Sequence, residues 1–185
     1  MDLLVVFASS RGSTRGVAAR IASRLRLHGN TAEARSVAAV DSVAAYDAVV
    51  FGSAIHGGEW LPEATRFADR NAAVLRHRPN WLFSVSTVGD EESMFPPRVA
   101  KRLRGLRGET PEIAALRDAL HSREHRNFAG VIVRSDWPPT GRAFFRAMGG
   151  RYGDHRNWPA IDAWADTLAE QLTKNSAVGL EHFPG

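Results

Sequence analysis

The densest chemistry in this chain lies at Ser9, Ser10, Arg11, Gly12, Ser13 and Thr14, where four hydroxyl side chains stand around a single glycine. Hydroxyls donate hydrogen bonds and Gly12 lets the backbone bend without a Cβ, so the stretch could wrap an anion. The apolar run Leu3-Leu-Val-Val-Phe-Ala8 precedes it, and Val17, Ala18, Ile21, Ala22 and Leu25 follow at helical spacing. The pattern is therefore strand, turn, helix. A helix start presents unpaired N–H groups and the positive end of the macrodipole, and would hold a phosphate dianion without a metal or an obligatory lysine. The nucleotide-hydrolysing loop needs Lys after its second Gly, and the dinucleotide fingerprint needs three glycines; only Gly12 and Gly16 fall in this turn. Ser and Thr are also ordinary helix caps, so a plain capped turn is the competing reading.

Two further stretches share the design. Ser53, Ala54, Ile55, His56, Gly57, Gly58 and Trp60 follow the apolar run Ala48–Gly52, and Ser86, Thr87, Val88 and Gly89 follow Trp81–Val85. Ligands bind at the C-terminal ends of strands in open parallel sheets, which makes both stretches candidate loops of one site. His56 could donate a proton, although a lone loop His is more often simply solvated. Trp60 could offer a stacking face or anchor the entry of the next helix. No Ser/His/Asp set or apolar-flanked carboxylate pair occurs, so the reacting atom would belong to a cofactor. His121 and His125 stand four apart without a third ligand or the zinc-protease order. They read as a solvated helix end, and no metal site is expected.

The positioning elements follow from periodicity. Helices are expected over Thr14–Leu27, Val37–Ala45, from Pro62 with Phe67, Ala68 and Val74 inward, over Arg98–Leu106 with breaks at Gly105 and Gly108, and from Thr110 with Ile113, Leu116 and Leu120 inward. A last helix, Trp158–Leu172, turns Ile161, Trp164, Ala165, Leu168 and Leu172 to one side. Thr31–Val37 reads as an edge strand and Phe128–Val133 as the fifth strand. Strands alternating with helices give an α/β fold, a doubly wound parallel sheet in the order 2-1-3-4-5, as one domain over residues 1–175 with a tail at 176–185.

The 185 residues include no cysteine, which excludes disulfides, thiolate nucleophiles and Cys-based metal centres. Net charge is +4 and the pI about 10.3, suited to an anionic partner. Nucleic-acid signatures are absent, and nucleic acid is not an expected partner. No apolar run approaches the roughly 20 residues of a membrane span, and no basic leader opens the chain. A cytoplasmic protein is expected, with contact at the inner face of the membrane left open by the charge; a homodimer is also left open. From 134 to 157, Trp137, Phe144, Phe145, Met148 and Tyr152 mingle with Arg134, Arg142, Arg146, Arg151 and Arg156. This is either a helix packing its rings on the core or a docking element for an anionic, partly apolar ligand or membrane surface, with Arg142, Phe145 and Arg146 as its candidates.

Ser9-Ser-Arg-Gly-Ser-Thr14 resembles the FMN phosphate loop of flavodoxins. Asp47–Gly58 and the region from Trp137 to Trp164 resemble the flavodoxin-type, menaquinone-dependent protoporphyrinogen oxidases, and the likeness covers nearly the whole chain. It implies a flavodoxin-like three-layer α/β/α fold and non-covalent FMN. The phosphate would sit on Ser9–Thr14, and the ring between Ser53–Trp60 and Ser86–Gly89. It also implies an oxidoreductase passing electrons from a porphyrinogen-like substrate to a quinone, in heme synthesis. Residues 105–125 add a helical pattern unlike the oxidases, Asp90, Glu91 and Glu92 make the third loop acidic, and Phe95 rather than Ser93 carries the nearby ring. Two alternatives stand beside the oxidase: an electron carrier, and an interaction module without FMN. Carriers of this type are usually acidic, which suits cationic reductases and does not suit this chain.

Overall fold

The computed structural model describes residues 1–107, 109–136 and 139–180. β1 (Asp2–Ala8) leads into α1 (Ser13–Leu27), then β2 (Thr31–Ser36), β3 (Ala48–His56), β4 (Glu59–Trp60), α2 (Pro62–Leu75) and β5 (Asn80–Ser86). There follow α3 (Pro97–Arg107), α4 (Pro111–Ala119), β6 (His125–Ala129), β7 (Val131–Ile132), α5 (Pro139–Ala147), β8 (Gly153–Asp154) and α6 (Trp158–Leu180). The main sheet is ordered β2-β1-β3-β5-β6 with every neighbour parallel. With the short hairpin strand β4 set aside, this is the expected 2-1-3-4-5 succession.

Alternation along the strands builds two cores, one on each face of the sheet. Leu3, Val5 and Phe7 pack with Val17, Ile21 and Leu25 of α1 and Ile161, Trp164 and Leu168 of α6. Leu4, Val6 and Ala8 face the other way, onto Phe67 and Leu75 of α2 and Ile113 at α4. Strands buried on both faces read as unbroken apolar runs, as β1 does. At Gly52 the ring of Phe83 lies 2.2 Å from where a Cβ would stand, so only glycine fits there. Across the outer surface, Arg20 and Arg24 of α1 make paired hydrogen bonds to Asp162 and Asp166 of α6.

Several boundaries differ from expectation for physical reasons. The segment after β2 makes one short 3-10 turn, Val37–Ala39, instead of a helix to residue 45. It is held by the buried Asn71, whose amide oxygen accepts from Val43 N. β3 runs on to His56 and turns back antiparallel through β4, so residues 53–60 form a hairpin. The fifth sheet strand starts at His125, three residues before the apolar run, while Val131 and Ile132 leave the sheet to pair with β8. His121 ends α4 at φ 53 and His125 lies in β6, so the two do not share a helix face. Gly105 lies inside α3, Gly108 and Trp137 lie outside the described residues, and α6 continues past residue 175 to Leu180.

The His125 side chain, only 7% exposed, is no solvated helix end. The Trp60 indole N–H donates to Ser84 Oγ at 2.7 Å, and the same hydroxyl shares a hydrogen bond of 2.8 Å with His125 Nε2. Burial, with the Arg117 charge adding to it, lowers the His125 pKa from 6.5 to about 4. Glu109 stands 3.6 Å from Nδ1, but Arg117 already engages that carboxylate. The unfolded chain takes a proton below pH 6.5 that the folded chain refuses until about pH 4, so stability falls as pH drops through that window. At about 1.4 kcal/mol per unit, the loss is at most ~3.5 kcal/mol. His125→Gln should flatten the loss in urea unfolding between pH 7 and 4.5; an unchanged pH slope would assign the acid sensitivity to other groups.

Candidate functional site

Three segments converge at the carboxyl edge of the sheet, after β1, β3 and β5. In the first, Ser9 Oγ accepts from Gly12 N at 3.0 Å and Gly12 takes φ 86, a left-handed conformation natural to glycine. α1 then begins without a side-chain cap. Ser13 Oγ accepts from Val131 N at 3.0 Å, tying the turn to β7 and leaving its O–H free to donate. Thr14 is 1% exposed, and its hydroxyl oxygen is buried without a partner among the described residues. A buried hydroxyl that meets nothing costs about 1–3 kcal/mol. The first turn holds no acidic residue, while Arg11 and Arg15 border it. Cations beside the positive end of a helix are unfavourable, and a bound anion reverses that balance. The residues present fit a phosphate group.

The second segment is the β3–β4 hairpin. Gly57 and Gly58, at φ 67 and 102, make its turn, and His56 and Gly57 are exposed at its tip. Ser53 is fully buried, donating to Ala54 O and accepting from Leu61 N, so its hydroxyl serves the hairpin. Ala54 and Ile55 are half-buried. Trp60 is 7% exposed, bonded to Ser84 and set edge-on to Phe51 at 5.0 Å. It anchors the hairpin in the core, and this structure does not present its ring as a stacking face.

In the third segment, Ser86 Oγ bonds both the N–H and the carbonyl of Val88, and Thr87 O accepts from Met94 N. Arg104 of α3 donates from Nε to Gly89 O at 2.8 Å and from Nη2 to Glu91 O at 2.9 Å. Asn127 Nδ2 donates to Val88 O. Gly89 presses so closely on β6 that a Cβ would lie 2.4 Å from Ala129 N. Asp90 covers the open edge of that strand, accepting from Asn127 N and donating its own N–H to Asn127 O. Phe95 packs on Phe145 at 5.3 Å and is 8% exposed, so it too is a packing ring.

The expected docking trio separates. Phe145 is 1% exposed and belongs to a small core with Met94, Phe95 and Ile132, because a ring at that helical position points back onto the loop after β5. It is a packing residue. Its neighbour Phe144 is the exposed ring, at 64%. Arg146 is exposed and Arg142 half-buried. Sequence reasoning passed over Arg104 and Asn127 as loop fixers; one is an arginine in a basic helix and the other a polar residue in a strand, and neither stands out by type.

A helix start prepared for phosphate, with two loops beside it at the carboxyl edge of a 2-1-3-4-5 parallel sheet, defines a flavodoxin-fold protein. Likeness to solved structures agrees: flavodoxin 2 from Bacillus cereus superposes at TM-score 0.61 with 17% identity, over 92% of this chain and 99% of that one. An archaeal flavodoxin gives 0.54 and 15%, over 94% and 99%. The Desulfovibrio gigas rubredoxin oxygen:oxidoreductase gives 0.59 and 14%, over 95% of this chain and 37% of its own. The family model described as flavodoxin domain matches residues 4–134, and the chain belongs to that family. This is a flavodoxin-like, FMN-binding type of domain. Among curated proteins, the Protoporphyrinogen IX dehydrogenase (quinone) of Escherichia coli K12 is 28% identical over 100 residues, which is 53% of this chain and 55% of that protein. The chain thus spans about half the length of the curated relatives it matches.

Thr14→Ala removes one charge-assisted hydrogen bond of about 1.5–3 kcal/mol, so FMN should bind roughly ten- to a hundredfold more weakly. Titration by flavin fluorescence quenching reads this directly. Unchanged affinity would mean that the phosphate lies away from Thr14.

Proposed function

We propose that this chain is an FMN-dependent oxidoreductase that draws electrons from a porphyrinogen-like substrate and delivers them to a quinone. The observation that carries the reading is the cationic wall beside the third loop, seen together with the Escherichia coli relatives. α3, the last turn of α5 and the α5–β8 connection carry Arg98, Lys101, Arg102, Arg146 and Arg151, all exposed and without a carboxylate partner among the described residues. Arg98 and Arg102 border a groove floored by Val99, Leu103 and Met148. An apolar floor beside a guanidinium edge suits a flat apolar ring system bearing carboxylates, and such a surface repels the cationic reductases that acidic carriers serve.

FMN, when bound, supplies a centre that accepts two electrons from one partner and releases them to another. The chain supplies the setting. Ser9, Ser10, Arg11, Gly12, Ser13 and Thr14 would hold the phosphate. Ser53–Gly57 on one side and Ser86–Gly89 on the other would border the ring, with the Gly57–Gly58 backbone offering N–H donors at its edge. Trp60 would act beneath the hairpin as its anchor, and exposed His56 at the tip could pass protons to and from solvent. Arg142 and Arg146 would steer the carboxylates. Among the described residues no helix is long and apolar enough to cross a membrane, so a membrane quinone would be reached by contact at the bilayer surface.

The test is anaerobic mixing of FMN-loaded protein with protoporphyrinogen, then with a menaquinone analogue, while flavin absorbance is followed. Bleaching by the porphyrinogen and recovery with the quinone are expected. Bleaching only by a flavoprotein reductase would select an electron carrier instead. Exposed ionic contacts are screened over about 10 Å at 0.1 M salt, so porphyrin binding should weaken as salt rises. Arg102→Gln with Arg146→Gln should weaken porphyrin binding while FMN is retained. Normal porphyrin binding by that double variant would remove the groove from the substrate path.

A further inference from the structure

Arg156 lies between β8 and α6, outside the 4–134 span matched by the flavodoxin family. Its guanidinium is held by three contacts to two partners. Nε donates to Asp154 Oδ1 at 2.8 Å and Nη2 to Oδ2 at 2.5 Å, and the group stacks 4.4 Å from the centre of the Trp158 ring. The backbone N–H of Arg156 donates to the same carboxylate at 3.0 Å, and the side chain is 18% exposed. The pairing with Arg156 pulls the Asp154 carboxyl below its ordinary value, so the clamp persists at neutral pH.

The remaining nitrogen is the informative one. Nη1 has no protein partner among the described residues, and it lies 2.4 Å from where a Cβ on Gly16 would stand. Gly16 belongs to the first turn of α1, its N–H closing back on Gly12 O. The same side is stitched together by Ser13, which accepts from Val131 N, and by Val131, which pairs with Asp154 in the β7–β8 ladder. A fixed guanidinium therefore rests on a helix start that has no acidic residue and already borders Arg11 and Arg15. Asp154 balances the charge of Arg156, so what favours a bound anion here is the positive end of the helix together with the unfilled Nη1 donor set beside it. Independently, the buried Thr14 hydroxyl in that turn lacks a partner among the described residues.

We propose that Arg156 is an anion-binding residue of the α1 site, adding a preoriented guanidinium donor to the backbone amides and Thr14, so that the chain selects the 5′-phosphorylated flavin over riboflavin. The inference rests on the phosphate sitting at α1. It also gives the residues beyond the family match a role, because phosphate binding would lock the β8–α6 connection against α1.

The experiment compares FMN and riboflavin affinities of the wild-type protein, Arg156→Gln, Arg156→Lys and Thr14→Ala by fluorescence titration, with thermal melts of each apoprotein in inorganic phosphate. Arg156→Gln should weaken FMN roughly tenfold or more and leave riboflavin unchanged, as expected for one charge-assisted contact. Arg156→Lys, which keeps charge without the two-pronged clamp, should fall between. Phosphate should raise the melting temperature of the wild type more than that of Arg156→Gln. Equal weakening of FMN and riboflavin would overturn the proposal in favour of a packing role. Loss of FMN preference in Thr14→Ala but not in either Arg156 variant would overturn it while leaving the phosphate at α1. A wild-type protein that binds both flavins equally would overturn both. If Arg156→Gln does not fold, the same selectivity comparison on Arg156→Lys decides.

Discussion

The positive end of α1 is the constraint on which the rest of this molecule turns. A helix start that faces a ligand cannot satisfy its own N–H groups with an acidic cap, because a carboxylate would compete with the incoming anion. Here the start follows a left-handed Gly12, lacks any acid in its first turn, and buries a hydroxyl that meets no partner among the described residues. The sheet exists to hold that start in place. β1 delivers the turn, and α1 is pinned along its length by Val17, Ile21 and Leu25 on one side and by two arginine–aspartate pairs to α6 on its surface. The instability left at the tip is offset by packing elsewhere.

The same economy governs the two neighbouring loops. Neither is a free loop. The hairpin is anchored through the Trp60 indole, and the third segment is fixed by Arg104 and Asn127 through its carbonyls. Side chains that look functional by type, such as Trp60, Ser53 and Phe95, hold the frame. Backbone and exposed small residues are what remain to meet a ligand. These loops therefore present main chain more than side chain to a ligand.

The central strands were legible because β1, β3 and β5 are buried on both faces and carry apolar runs, and the last helix because Ile161, Trp164, Leu168 and Leu172 repeat at helical spacing. β6 hid because an edge strand can be polar: His125, Arg126 and Asn127 carry none of the expected apolar signal, and Asp90 makes up the missing edge contact. The hairpin hid because its returning strand is two residues long. In the candidate site, the hydroxyl-rich turn was readable from residue type and position. The orientation of rings was not. Phe144 and Phe145 are neighbours of the same kind, and only the packing against Phe95 and Tyr152 decides which one is inside. Arg156 was one arginine among five until the fold placed it against Gly16.

Arg104 grips the third loop by the carbonyl oxygens of Gly89 and Glu91, and a carbonyl is the same whichever side chain the residue bears. Among the acidic residues of that loop, Asp90 is committed to the strand edge, whereas the Glu92 side chain contributes nothing to the grip. The loop's shape is thereby uncoupled from part of its wording. The Glu91 carboxylate also accepts from Asn157 Nδ2 at 3.4 Å, so it is at position 92 that a change of charge would alter the electrostatics around the loop while the scaffold beneath keeps its form.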